Sequence, residues 1–317
     1  MRILIILTGG TIGSRIRNGS IDTDETTKYS LTERYESVHG KTDFEFSEPY
    51  RVLSENLSAC ELNLLQSKIA DNLEKGYDGI IVSHGTDTLQ YSAVAAEYAF
   101  ADCGIPVVFV SSDYPLEDEK ANGHFNFEAA VEFIKSKSGN GVYISYKNSR
   151  EKATNIHVPS EILQYPECSA DILSISGIPY AYYDGKITLC REKTPSGKGL
   201  GAIEYAKNSG ILVIDSRPGD SFGYSLDGVK AVIFKPYHSA TLNTASVDFQ
   251  KFCIKAKNAD IPVFAVNVKS DIGYKSAELF GSLGIIPLPY GTYIAAYMKI
   301  WAAVSLGKNP TDFALNN

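Results

Sequence analysis

The chain has 317 residues, 44% of them apolar and 21% charged, with a net charge of −7. That length can bury the cores of two domains. The acidic balance, with Lys and Arg scattered rather than clustered, argues against nucleic acid, which needs a basic face. No apolar run reaches the ~18 residues that span a bilayer, so neither nucleic acid nor membrane is an expected partner, and the expected location is cytoplasmic.

The first element is the apolar run Ile3–Leu7, which reads as a strand buried on both faces. It is too short for a signal peptide, and it ends in Gly-Gly rather than at a small-residue cleavage site. It runs into Thr8-Gly9-Gly10-Thr11-Ile12-Gly13-Ser14, a Gly-rich turn with two threonines. Glycine permits positive φ and close approach of a ligand to the main chain. A dinucleotide fingerprint needs glycine where Thr8 stands, and the lysine of a phosphate loop is absent. A loop presenting a hydroxyl nucleophile at a strand's carboxyl end is the stronger reading.

Arg15 to Lys28 is polar and reads as a mobile surface loop. Phe44 to Leu53 is a second strand candidate, ending at Ser54-Glu55-Asn56-Leu57-Ser58, and Cys60 to Leu73 has helical spacing. Tyr77 to Ser83 is a third strand, delivering His84-Gly85-Thr86-Asp87-Thr88, and Gln90 to Ala99 is helical. A strand at Pro106–Ser111, a helix from Asn122 to Ile134 and a strand at Gly141–Ser145 follow. This repeated order implies a parallel, doubly wound α/β sheet. The Lys-, Pro- and Gly-rich stretch from Arg191 to Leu200 reads as part of a linker. The expected division is therefore 1–188 as a larger catalytic domain, 189–209 as linker and 210–317 as a smaller α/β domain. In the last, strands are expected at 211–215, 231–234 and 262–266, and helices at 246–257 and 292–304.

The five cysteines (Cys60, Cys103, Cys168, Cys190 and Cys253) are dispersed and read as free thiols. His39, His84, His124, His157 and His238 show no ligand spacing, so neither a metal nor another cofactor is expected.

Thr11 and Thr86 each sit in a Gly-rich turn at a strand end. A threonine hydroxyl needs a neighbouring group to take its proton, and Asp87 adjoins Thr86. With Ser54 and Glu55 at a third strand end, the parts for acyl transfer are present: hydroxyl, carboxylate and backbone N–H donors. Glu55 and Asp87 also suit a substrate carrying an amino group. Plainer readings stand beside these. Thr11 can be a turn threonine, Asp87 a helix cap, and Ser54-Glu55 an ordinary helix start. His84 fits a hydrogen-bonder orienting its loop better than a base.

With TGGTIGS near the amino terminus and HGTDT further on, the chain resembles the bacterial-type L-asparaginase/glutaminase family. SENLS is similar to that family's serine-containing substrate loop, and NGHFNF to its DGPFN-like helix entry. The resemblance implies hydrolysis of the side-chain amide of L-asparagine, sometimes glutamine, through a threonine acyl-enzyme, without metal or cofactor, in a homodimer or homotetramer. It further implies Thr11 as nucleophile, Thr86 and Asp87 as the second threonine and its aspartate, and Tyr29 as the loop tyrosine. On the same resemblance, Ser54 and Glu55 would hold the substrate, and Gly10 and Gly85 would line its site. Where the family carries an essential lysine, this chain has Asn155, with Lys152 three residues earlier. Glu55 and Asn122 replace the family's glutamine and aspartate. The Asn155 departure leaves two alternatives open: an amino-acid-binding homologue with impaired catalysis, or an amide hydrolase for another asparagine or glutamine derivative.

Overall fold

The structure, a computed structural model, describes residues 1–10, 12, 14–17, 20–23, 27–163, 169–192, 197–268, 273–288 and 291–316. The chain divides into two compact units, Met1–Ile203 and Glu204–Asn317.

In the first unit the elements are β1 (Arg2–Leu7), β2 (Ser14–Arg17), β3 (Ser20–Thr23), α1 (Thr27–His39), β4 (Asp43–Ser47), α2 (Ala59–Ala70), β5 (Gly79–Ser83) and α3 (Leu89–Phe100). They continue with β6 (Pro106–Val110), α4 (Gly123–Ser136), β7 (Gly141–Tyr146), β8 (Thr154–His157), β9 (Ile162–Leu163), β10 (Leu173–Ser174), β11 (Ala181–Tyr183) and β12 (Ile187–Leu189). Eight strands form one sheet in the order β12-β11-β8-β7-β6-β5-β1-β4. From β4 to β7 every pairing is parallel, whereas β8, β11 and β12 add an antiparallel edge.

Apart from Arg2 at the start of β1 and Ser83 at the end of β5, strands β1, β5 and β6 carry no polar side chain, because both their faces are covered. Ile3, Ile5, Ile81 and Val108 pack on one side with Leu31 and Tyr35 of α1 and Phe127 and Phe133 of α4. Leu4, Ile6, Val82 and Phe109 pack on the other with Leu65 of α2 and Ala93 of α3. The sheet is thus doubly wound, as expected. Within 15–28 the described residues differ from the loop expectation: β2 and β3 pair antiparallel, and α1 begins at Thr27, while residues 18, 19 and 24–26 lie outside the described residues.

The second unit holds β13 (Ile211–Asp215), β14 (Ala231–Lys235), α5 (Val247–Asn258), β15 (Val263–Ala265), α6 (Lys275–Glu278), α7 (Phe280–Leu283), β16 (Ile285–Pro287), α8 (Tyr293–Ser305) and α9 (Pro310–Asn316). Its four strands are parallel in sequence order. Phe249, Phe252 and Phe280 from α5 and α7 cover one face, and Ile300 of α8 lies in the cluster on the other.

The stretch 189–209 is shared between the units. Leu200 N–H donates to Tyr98 O at 3.0 Å and Gly201 N–H to Ala99 O at 2.9 Å, lacing this part of the chain to α3. Tyr205 stacks edge-on against Trp301 within the second unit, ring centroids 5.0 Å apart.

Candidate active site

Three loops at the carboxyl ends of β1, β4 and β5 meet. Thr8, 2% exposed, leaves β1 with its hydroxyl donating to Ser83 O at 2.8 Å. Gly9 and Gly10 follow with φ of +99° and +76°. Their backbone is laced to the loop after β4: Val52 N–H donates to Thr8 O, and Gly10 N–H to Val52 O, both at 3.1 Å. A Cβ on Gly10 would stand 2.3 Å from Gly85 Cα, and one on Gly85 would stand 2.5 Å from Ser54 Oγ. Glycine is required by contact at both positions, and at Gly10 by φ as well.

Ser54 opens a 3₁₀ turn, Ser54–Asn56, and is 6% exposed. Its Oγ accepts from Asp87 N–H at 3.3 Å, and its carbonyl accepts from the Thr88 hydroxyl at 2.9 Å. Gly10, Ser54, Gly85 and Asp87 are therefore brought together at the carboxyl ends of β1 and β5, the end of an open α/β sheet where a substrate crevice is expected. Thr86, covalently between Gly85 and Asp87, is partly exposed at its edge, and the Asp87 and Glu55 side chains face solvent.

Thr11 lies outside the described residues. Tyr29 sits in the first turn of α1, 49% exposed, with its ring edge-on to Phe46 of β4 at 5.6 Å. This contact sets its ring against the edge strand of the sheet. Asn155 is on β8 opposite Tyr146, and its side-chain amide donates to Glu151. Extending the parallel registers one step past β5 and β6 puts Thr8, His84, Ser111, Tyr146 and Asn155 in one row across the sheet. Asn155 is then three strand spacings from His84, roughly 14 Å. Lys152 is exposed just before β8.

His84 is 1% exposed, with Nδ1 2.9 Å from Gly85 O. Burial pushes its pKa down to about 4, so it is neutral near pH 7. The sequence reading missed how firmly the next loop is tied. Asn122 Oδ1 accepts from Asp113 N–H and Asp113 Oδ1 from Asn122 N–H, each at 3.0 Å. Asn126 donates to Ser111 O at 2.8 Å and accepts from Lys147 N–H at 2.7 Å. The two asparagines of NGHFNF thus clamp the ends of β6 and β7. Their spacing in a helix entry was the one visible signal. Among the described residues, no group of three or more His, Cys, Asp or Glu is placed to hold a metal ion.

A family model described as "Asparaginase, N-terminal" matches residues 2–163. Among curated proteins, a component of the glutamyl-tRNA(Gln) amidotransferase from Methanosarcina mazei is 25% identical over 276 residues, 84% of this chain and 64% of that protein. Among solved structures, the thermostable L-asparaginase from Thermococcus kodakarensis superposes with a TM-score of 0.83 at 18% identity, covering 99% of this chain and 96% of the other. L-asparaginase I from Vibrio cholerae gives 0.81 at 21% identity, covering 100% and 97%. The chain spans less than two thirds of the amidotransferase component, and the structural likeness shows a shared fold.

Proposed function

Since the chain belongs to the asparaginase family, we propose that it hydrolyses the side-chain amide of L-asparagine to L-aspartate and ammonia through an acyl-enzyme on Thr11. The observation that supports this best is the meeting of Gly10, Ser54 and Gly85, packed so closely that no Cβ fits at either glycine. Such contact fixes the backbone on both sides of the crevice before substrate arrives, which is what stabilising a developing oxyanion requires.

In the proposed reaction the Thr11 hydroxyl attacks the amide carbon. Its proton passes by way of the Thr86–Asp87 pair to the departing nitrogen, which leaves as ammonia. Water then attacks the ester, returns a proton to Thr11 and releases the acid. Ser54, with Glu55 and Asp87 at the mouth, holds the substrate's α-amino and α-carboxylate groups. No metal or cofactor enters the scheme. We further place the protein in the cytoplasm as a homodimer or homotetramer.

A second reading has two observations behind it. Asn155 replaces a lysine and pairs with Glu151, so no cation stands at that position to favour loss of the threonine proton. The sequence is also similar to an amidotransferase component. Both favour a different asparagine or glutamine derivative as the better substrate, with free asparagine turned over slowly, and at the limit bound without turnover. Ammonia release by wild type, Asn155→Lys and Lys152→Ala separates the possibilities. We expect slow release that Asn155→Lys raises. Brisk wild-type release abolished in Lys152→Ala would show that Lys152 serves in the lysine's place. Aspartate binding with no release from asparagine or glutamine would leave a binding protein.

A further inference from the structure

We propose that His84 is a positioning residue: its ring orients the Gly85–Thr86 peptide so that the Thr86 N–H faces the crevice as a fixed donor to the developing oxyanion. This rests on the amide-hydrolysis reading above.

Gly85 O can only accept, so His84 Nδ1, 2.9 Å away, must carry the proton and donate. None of the described peptide bonds is cis. Across a trans peptide the carbonyl of Gly85 and the N–H of Thr86 point in opposite directions within one rigid plane. The carbonyl is turned toward a ring that is 1% exposed and lies against Phe109, centroids 6.3 Å apart, in the layer covered by α2 and α3. The Thr86 N–H is turned away from that layer, and it finds no acceptor among the described residues.

The same peptide is pinned from its other end. Gly85 Cα abuts Gly10, and Ser54 Oγ receives the next N–H along the chain, that of Asp87. Among the described residues, His84 thus supplies the side-chain hydrogen bond to the Gly85 carbonyl, and the glycine contacts leave little room for the plane to rotate. Its Nε2 is buried with no hydrogen-bond partner among the described residues. A ring so placed cannot reach substrate and is not the base. The hydrogen bond to Gly85 O holds the proton on Nδ1, and burial, which favours the neutral ring, leaves Nε2 bare.

Two variants and one spectrum test this. His84→Leu removes the donor at similar volume, and His84→Asn places an amide N–H where Nδ1 stood. With melting temperatures measured on both, we expect His84→Leu to lower kcat for ammonia release about 10- to 100-fold, KM changing little. His84→Asn should restore kcat to within a few-fold of wild type. The pH–rate profile should keep its shape in both, because the ring exchanges no proton during turnover. Wild-type kcat in His84→Leu, a His84→Asn no better than His84→Leu, or a changed profile overturns the proposal. If His84→Leu does not fold, His84→Asn and the spectrum still decide. A nitrogen-15 spectrum of histidine-labelled wild type should show Nδ1 protonated and Nε2 bare from about pH 6 to 8. Protonation at Nε2 instead overturns the proposal irrespective of activity. The expected tautomer in a protein that releases no ammonia overturns the functional reading and leaves the hydrogen bond standing.

Discussion

At the scale of residues, glycines separate positions of geometric need from positions of mere convenience. Gly85→Ala would bring Cβ within 2.5 Å of Ser54 Oγ and 3.1 Å of Gly10 Cα. Overpacking of this kind costs about 1–3 kcal/mol, and the displaced loops should lose at least ~100-fold in turnover. Gly76, whose φ is +75° but which has nothing within 4 Å of an added Cβ, is the control. Gly76→Ala should lose about 1–2 kcal/mol of stability for its left-handed backbone and keep its activity. Thermal melts and ammonia assays on the two variants check this contrast. The sequence marked both glycines of the site as turn residues. It could not show that Gly10 and Gly85 touch, because they lie far apart along the chain and only the sheet brings them together. Asn155 was legible as a departure from the family pattern, whereas its pairing with Glu151 was not, since an exposed amide is free to choose among neighbours.

At the scale of elements, the buried strands were readable because continuous apolar runs have no other stable place than a covered sheet. Elements with mixed composition were not. Helix α1, TKYSLTERYESVH, buries Leu31 and Tyr35 but leaves Tyr29 and Val38 exposed, so its buried apolar stripe is too thin to stand out. Strands β11 and β12 span three residues each, below the length at which alternation can be recognised. His84 on the end of β5 and His157 on β8 are both buried, and desolvation lowers their pKa values to about 4 and about 3. The unfolded chain binds those protons near pH 6.5 and the folded chain does not. Their contribution to stability is complete above pH 6.5 and shrinks as pH falls toward 4, by up to about 1.4 kcal/mol per histidine per pH unit. Melting temperature should therefore fall through this window, and His157→Gln should make the fall shallower. An unchanged slope in that variant would mean that His157 titrates alike in both states.

At the scale of the whole molecule, each of the two units buries a core of its own, and the candidate crevice is built from the first. That unit's parallel sheet ends three loops in one place, so a hydroxyl, a carboxylate and backbone donors from distant parts of the sequence can share a site. The central claim is that this site forms an acyl-enzyme on Thr11. Hydroxylamine supplied with L-asparagine competes with water for such an ester and yields the aspartyl hydroxamate. We predict that wild-type protein forms the hydroxamate along with aspartate and ammonia, and that Thr11→Ala and Thr86→Ala, each correctly folded, form neither product at more than a small fraction of that rate. Hydroxamate and ammonia appearing undiminished in Thr11→Ala would contradict the account.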